Sequence, residues 1–297
     1  MPSRLNLSVD SLGVWPLRAM WLLLPILAGF GLSEALNEHS ERVATTAEVA
    51  LWVGWFIGLV SVLAPSAASL TAVRLLAPSA VASALWAVFS SGIWEATTIG
   101  AIGATLVVFA VALLPTTGDV MVNGSSYGPE RRMALRPPAA LLLGPIQVAW
   151  LVIFVGLAGG IMLIAAGNVL LGAPTLILGI ASTWYAGRSL HQLSRRWIVF
   201  VPAGVVIHDQ WSIAEAFLMK RSEIVSLGPV PLDKGELLDL SGGARGLALL
   251  VELDETKTLA LRARNAINTF DAYRIVFTPT LPGRLLREAR VRGVKIG

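Results

Sequence analysis

The chain has no cysteine and only three histidines among its 297 residues. The missing thiols exclude disulfides, thiolate metal sites, a cysteine nucleophile and thiol redox chemistry. Charge is scarce as well. Asp, Glu, Lys and Arg make up 14% of the chain, against about 25% in an ordinary soluble domain. With 55% hydrophobic residues and a mean hydropathy of +0.70, this excludes a disordered or collagen-like chain and points to several membrane spans. Three families of chemical signature are also missing: a Walker-A lysine motif, G-x-S-x-G, and any H-x-x-x-H or H-E-x-x-H spacing.

The few charges are unevenly placed. Residues 1–187 hold 7 basic and 8 acidic groups, whereas residues 188–297 hold 16 and 11. The chain therefore reads as a membrane part, 1–190, followed by a polar domain, 191–297. A spanning helix needs ~20 mostly apolar residues, so the charge-free gaps locate the spans. They predict six helices, at about 14–34, 48–68, 76–94, 97–116, 139–165 and 168–187. The first resembles a signal sequence, with Arg4 and Arg18 ahead of Met20–Leu32, but it lacks an A-x-A site and is expected to remain as a span. The break between the last two is expected near Gly167-Asn168 or Gly172-Ala173-Pro174.

Basic residues collect on the cytoplasmic side of membrane proteins. With the N-terminus inside, the inner segments hold Arg4, Arg18, Arg74, Arg131, Arg132, Arg136, Arg188, Arg195 and Arg196. The outer side holds only Arg42, beside Glu34, Glu38, Glu41, Glu48 and Glu95. The expected topology is a multi-pass plasma (inner) membrane protein with its N-terminus and polar domain cytoplasmic. The pI near 9.8 is then a topological signature, and no nucleic-acid partner is expected. The sequons Asn6-Leu7-Ser8 and Asn123-Gly124-Ser125 fall inside and are discounted. Trp15, Trp21, Trp94 and Trp184 fall near the predicted interfaces, where tryptophans gather.

The inner loop 117–137 reads as a small ordered loop with a turn at Asn123-Gly124, and Met133–Leu135 as the start of the fifth helix. The polar domain reads as mainly β. Trp197–Val201 and Val205–His208 flank the turn Pro202-Ala203-Gly204, and Ala216–Met219 and Ile224–Leu227 are further strands. Leu247–Leu253 and Thr258–Leu261 read as a hairpin about Asp254-Glu255-Thr256-Lys257. Tyr273–Thr278 is the last strand, followed by an amphipathic helix over Leu281–Val291. Short strands ended by one helix imply a small β-barrel.

Three strings carry a resemblance: Arg195-Arg196-Trp197-Ile198-Val199-Phe200-Val201-Pro202-Ala203-Gly204-Val205-Val206, Leu218-Met219-Lys220-Arg221-Ser222-Glu223-Ile224, and Tyr273-Arg274-Ile275-Val276-Phe277-Thr278-Pro279 with the helix after it. Over residues 195–292 the chain resembles bacterial membrane-associated pleckstrin-homology-like (PH-like) domains. The resemblance implies a barrel opened by a hairpin directly after a membrane segment and plugged by a terminal helix. It implies no activity, since that family is mostly without one, and many of its members have two spans instead of six.

Few residues are candidates for chemistry. His39, His191 and His208 are far apart, with His39 on the opposite side of the membrane, so no metal is expected and no cofactor is implied. Gly242-Gly243-Ala244-Arg245-Gly246 precedes a strand instead of a helix and reads as a turn, not a phosphate cradle. Arg74 and Glu95 lie at predicted span ends; they read as loop charges, and as gating or transport candidates if they lie deeper. Gln147 and Asn168 read as helix–helix hydrogen-bond partners, and Gly156-x-x-x-Gly160 as packing inside the bundle first and a face for a homo-oligomer second. Arg188, Arg195 and Arg196 set topology and are equally placed to meet anionic lipid. Arg284, Arg287 and Arg290, with Arg292 and Lys295, form a solvated face of the terminal helix, or a contact for lipid headgroups or another membrane protein. The expected function is non-catalytic binding or scaffolding at the inner face of the membrane. The alternative is a transporter or channel with a regulatory C-terminal domain. An enzyme relying on His208 or Asp209 ranks last.

Overall fold

The computed structural model describes residues 14–231, 236–262 and 266–297. Arg4 and the Asn6-Leu7-Ser8 sequon lie outside the described residues. Among the described residues six helices are long and apolar enough to cross a membrane: α1 (Trp15–Leu36), α2 (Glu41–Leu63), α3 (Ala67–Ser91), α4 (Ala96–Leu113), the interrupted span Pro145–Ala165, and α9 (Val169–Ser194). Between the fourth and fifth lie α5 (Pro115–Asn123), β1 (Arg131–Ala134) and the short α6 (Ala139–Leu142). The fifth span consists of α7 (Pro145–Phe154), a π-helical turn at Val155–Gly159 and α8 (Gly160–Ala165).

Local chemistry sets the helix limits. Ser66 caps α3 by accepting a hydrogen bond from Ser69 N at 3.0 Å, which satisfies a donor the first turn would otherwise leave open. Glu95 caps α4, its N–H donating to Thr98 Oγ1 at 3.0 Å. The fifth and sixth spans part at Gly167, whose φ of +85° suits a residue without a Cβ. The second and third spans begin earlier than the charge gaps predict. Glu41, Arg42 and Glu48 all lie within α2, and Arg74 lies within α3. Glu41, Arg42 and Glu48 are exposed and so do not end α2, whereas the guanidinium of Arg74 is enclosed within the fold.

In the helical unit, α1 packs on α2, α3 and α4, and α3 packs on α2 and α4. Trp21 and Trp55 donate to each other's backbone carbonyls, each at 2.9 Å. Trp21 is buried, so it belongs to the bundle interior and not to the interfacial belt expected of it. A Cβ at Gly156 would strike the backbone of Gly179, and one at Gly160 would strike Leu176. The Gly156-x-x-x-Gly160 face is therefore filled from within the chain by α9, as its first reading, packing inside the bundle, expects, and the second reading as a homo-oligomer face is not needed to explain it.

The chain divides into two compact units, and the second gathers residues 122–146 with 191–297. Its strands are β1, β2 (Arg196–Val201), β3 (Gly204–Asp209), β4 (Phe217–Lys220), β5 (Ile224–Pro229), β6 (Leu238–Asp239), β7 (Leu249–Arg262) and β8 (Ile267–Phe277), followed by α10 (Pro282–Val291). One sheet has the order β1-β2-β3-β4, all antiparallel; the other has β5-β7-β8-β6, with β6 parallel to β8. The two sheets share one core. Ile198, Phe200, Ile207 and Met219 meet Leu249, Val251, Ile275 and Phe277, and Leu285 and Ala289 of α10 complete it. The result is a two-sheet unit with a C-terminal helix, not a closed barrel.

Two differences from the sequence-based expectation concern this unit. The stretch Arg131–Ala134 is an edge strand, with Met133 opposite Ile198 and buried in the core; it does not begin the fifth helix. Asp254–Lys257 makes no turn. β7 runs straight through it with a register irregularity between Glu252 and Lys257, and the reversal comes after Arg262. Charged residues favour exposure, but without Gly, Pro or Asn they do not turn a chain. Deleting the side chain of Met133 (Met133→Ala) is expected to destabilise the second unit by about 2–5 kcal/mol, read by thermal unfolding of the full chain. Tyr127→Ala, at an 86% exposed position, is expected to change stability by less than about 0.5 kcal/mol.

Candidate functional site

The basic residues of the second unit separate into an interior set and a surface set, and strand alternation decides which is which. Successive side chains on a strand face opposite sides. Ile198 and Phe200 face the core, so Arg196 does too. Its guanidinium donates from Nε to Asp209 Oδ1 at 2.8 Å and from Nη2 to Asp209 Oδ2 at 2.7 Å. The remaining donors reach the carbonyls of Arg136 at 2.9 Å and Leu240 at 3.2 Å. The two side chains are 1% and 0% exposed. Arg196 is therefore an interior tie, and its expected role as a headgroup contact is corrected. Asp209 is spoken for as well, with Trp211 N donating to Oδ1 at 3.1 Å.

Arg195, one residue earlier, lies in the turn between α9 and β2 and is half-buried. The outer face carries Trp197, directly opposite His208 in the β2–β3 register. Their rings stack with centroids 4.9 Å apart and planes 14° apart. From β1, the Arg132 guanidinium lies 5.3 Å from the centroid of the Trp197 ring. Burial and the positive Arg195 and Arg132 push the His208 imidazole below its ordinary pKa, against the opposing pull of Asp209. Its Nε2 is enclosed, with no hydrogen-bond partner among the described residues. This cluster is not legible in the sequence because Arg132 comes from β1, far from β2 along the chain.

On α10, Leu285 and Ala289 are buried while Arg287 and Arg290 are exposed; Arg284 is half-buried. Arg292 is not on the solvated face. It donates to Glu288 Oε1 at 2.6 Å and to Pro129 O at 2.7 Å, tying the helix end to the segment before β1. The step Lys220-Arg221-Ser222-Glu223-Ile224 is the turn that carries the chain from one sheet to the other. Glu223 accepts from Lys220 N at 3.1 Å and meets Lys257 Nζ at 3.1 Å, and these hold its carboxyl below the usual range.

In the helical unit Arg188 is exposed near the end of α9, and Glu95 is exposed at the cap of α4. Arg74 sits inside α3, with its Nη2 against Gly118 and its Nε enclosed without a hydrogen-bond partner among the described residues. Asp119, which sequence reasoning did not single out, is fully buried in α5. Asn168 stands at the break between spans, its Oδ1 accepting from Leu171 N at 3.3 Å. His39 packs on Trp86, ring centroids 5.2 Å apart, and no group of three potential metal ligands forms among the described residues.

Comparison with protein-family models, with curated proteins and with solved structures gave no match. Removing Asp209 would strand a buried guanidinium, so Asp209→Ala is expected to cost about 3–5 kcal/mol. Replacing the pair together, Arg196→Met with Asp209→Leu, is expected to recover most of that loss in thermal unfolding. Equal destabilisation by the single and double variants would contradict an interior ion pair.

Proposed function

We propose that this is a bacterial multi-pass protein of the plasma membrane whose PH-like C-terminal unit binds anionic lipid or a membrane-protein partner at the cytoplasmic face, without catalysis. The observation that carries the reading is the division of α10. Its buried Leu285 and Ala289 anchor the helix in the core, and Arg287 and Arg290 are left outside with Val291, which is 83% exposed. The antiparallel hairpin directly after the last span, the Lys220–Ile224 turn between sheets and the terminal helix support the PH-like assignment. The basic inner segments support the orientation. Each arginine near an anionic surface contributes ~1 kcal/mol. Arg287→Gln with Arg290→Gln is therefore expected to weaken binding of the nanodisc-embedded chain to phosphatidylglycerol vesicles by about 30-fold, or to abolish a photo-crosslink to a membrane partner. Unchanged binding and cross-linking would refute the reading.

A transporter or channel is the second reading, and Arg74 is the observation that favours it. A guanidinium inside a spanning helix with an enclosed, unbonded Nε is costly and marks a candidate for solute contact. On that reading Arg74→Gln lowers flux in proteoliposomes at least tenfold. On the first reading the wild-type chain gives no flux above protein-free vesicles.

A further inference from the structure

We infer that Arg132, Arg195 and His208, arranged around Trp197, form a binding site for a phosphate group. The inference deepens the binding reading above and rests on it. Three neighbouring strands, β1, β2 and β3, supply Arg132, Trp197 and His208, and the sheet register places these together. Trp197 and His208 are direct cross-strand partners. Arg195 lies in the turn just before β2, two positions ahead of Trp197, and its charge acts on His208. Arg132 covers the indole from the other neighbouring strand, 5.3 Å from its centroid.

The charge balance of this cluster points to an anion. Two permanent cations flank a histidine, and the adjacent carboxylate, Asp209, faces the core with both oxygens held by Arg196. Glu130 pairs with Arg132 Nη2 at 3.4 Å and Arg132 Nη1 donates to Ser125 Oγ at 3.1 Å, so one carboxylate stands against the two arginines. The cation–π contact explains Arg132 over Trp197, but it does not explain Arg195 beside the same histidine. Gathering like charges costs stability. An enclosed ring nitrogen without a partner costs about 1–3 kcal/mol more. A phosphate would offset both. Its oxygens match the forked donors of guanidinium groups, and its negative charge gives a protonated His208 an acceptor. Arg195 follows Ser194, the last residue of α9. On the proposed cytoplasmic side both lipid phosphodiesters and soluble phosphate compounds are present to supply the group.

The protonation of His208 reports the ligand directly, and with three histidines in the chain its NMR signals are resolvable. The full chain, labelled at histidine, is titrated with acid in phosphatidylcholine nanodiscs, with and without inorganic phosphate. A third sample uses nanodiscs containing phosphatidylglycerol. The inferred site requires the midpoint of His208 to rise by about one pH unit, equivalent to ~tenfold tighter binding to the protonated form. Those of His39 and His191 stay unchanged. A rise with inorganic phosphate assigns a soluble ligand, and a rise only with phosphatidylglycerol assigns a lipid headgroup. In the variant Arg132→Gln with Arg195→Gln the rise disappears; a rise that persists there would overturn the assignment. No movement of His208 in either wild-type arm would overturn it too. The binding reading would survive that result if Arg287→Gln with Arg290→Gln still reduced vesicle binding.

Discussion

Arg196 and Asp209 are both removed from water inside the second unit, and each is tolerable only because the other is there. A lone buried charge costs several kcal/mol; a bidentate pair with its remaining donors satisfied largely offsets that cost. The geometry reaches further than two strands. The same guanidinium binds the carbonyls of Arg136, just after β1, and Leu240, just after β6. Four segments far apart in the sequence thus converge on one side chain. Replacing the pair by apolar residues would keep the core but leave the carbonyls of Arg136 and Leu240 without this donor.

That convergence makes the loop after the fourth span part of the C-terminal unit. β1 covers the edge of β2, which would otherwise present unpaired backbone groups. Asn123 Oδ1 accepts from Arg132 N at 2.9 Å, Arg292 reaches Pro129 O, and Arg136 N donates to Thr278 O at 2.9 Å. The β-unit is thus joined to the spans through three chain connections, not the single one that a tail would have. The same insertion brings Arg132 to Trp197 and builds the outer-face cluster.

The spans were legible because charge-free length is a direct consequence of a water-free bilayer core. Their starts were less so, since Glu41, Glu48 and Arg74 lie within helices and do not break them. The hairpin at Pro202-Ala203-Gly204 and the helix after Pro279 followed from turn and periodicity rules. β1 was illegible for a physical reason: four residues, Arg131–Ala134, have no strand pattern of their own and take one from pairing with β2. Arg195-Arg196 looked like one basic patch. Alternation with Ile198 and Phe200 was the available signal that one arginine faces inward, and the β2–β3 hairpin places an acid, Asp209, directly opposite it. The cluster of Arg132, Trp197 and His208 carried no comparable signal, because it depends on a pairing across more than 60 residues.

The central claim is that β1 and the Arg196–Asp209 tie make one cooperative unit from two distant parts of the chain. Hydrogen exchange of the full chain in nanodiscs measures this most directly. The account predicts that the amides of residues 131–136 exchange as slowly as those of 196–201, with both segments opening together. Fast exchange at 131–136 while 196–201 stays protected would contradict it.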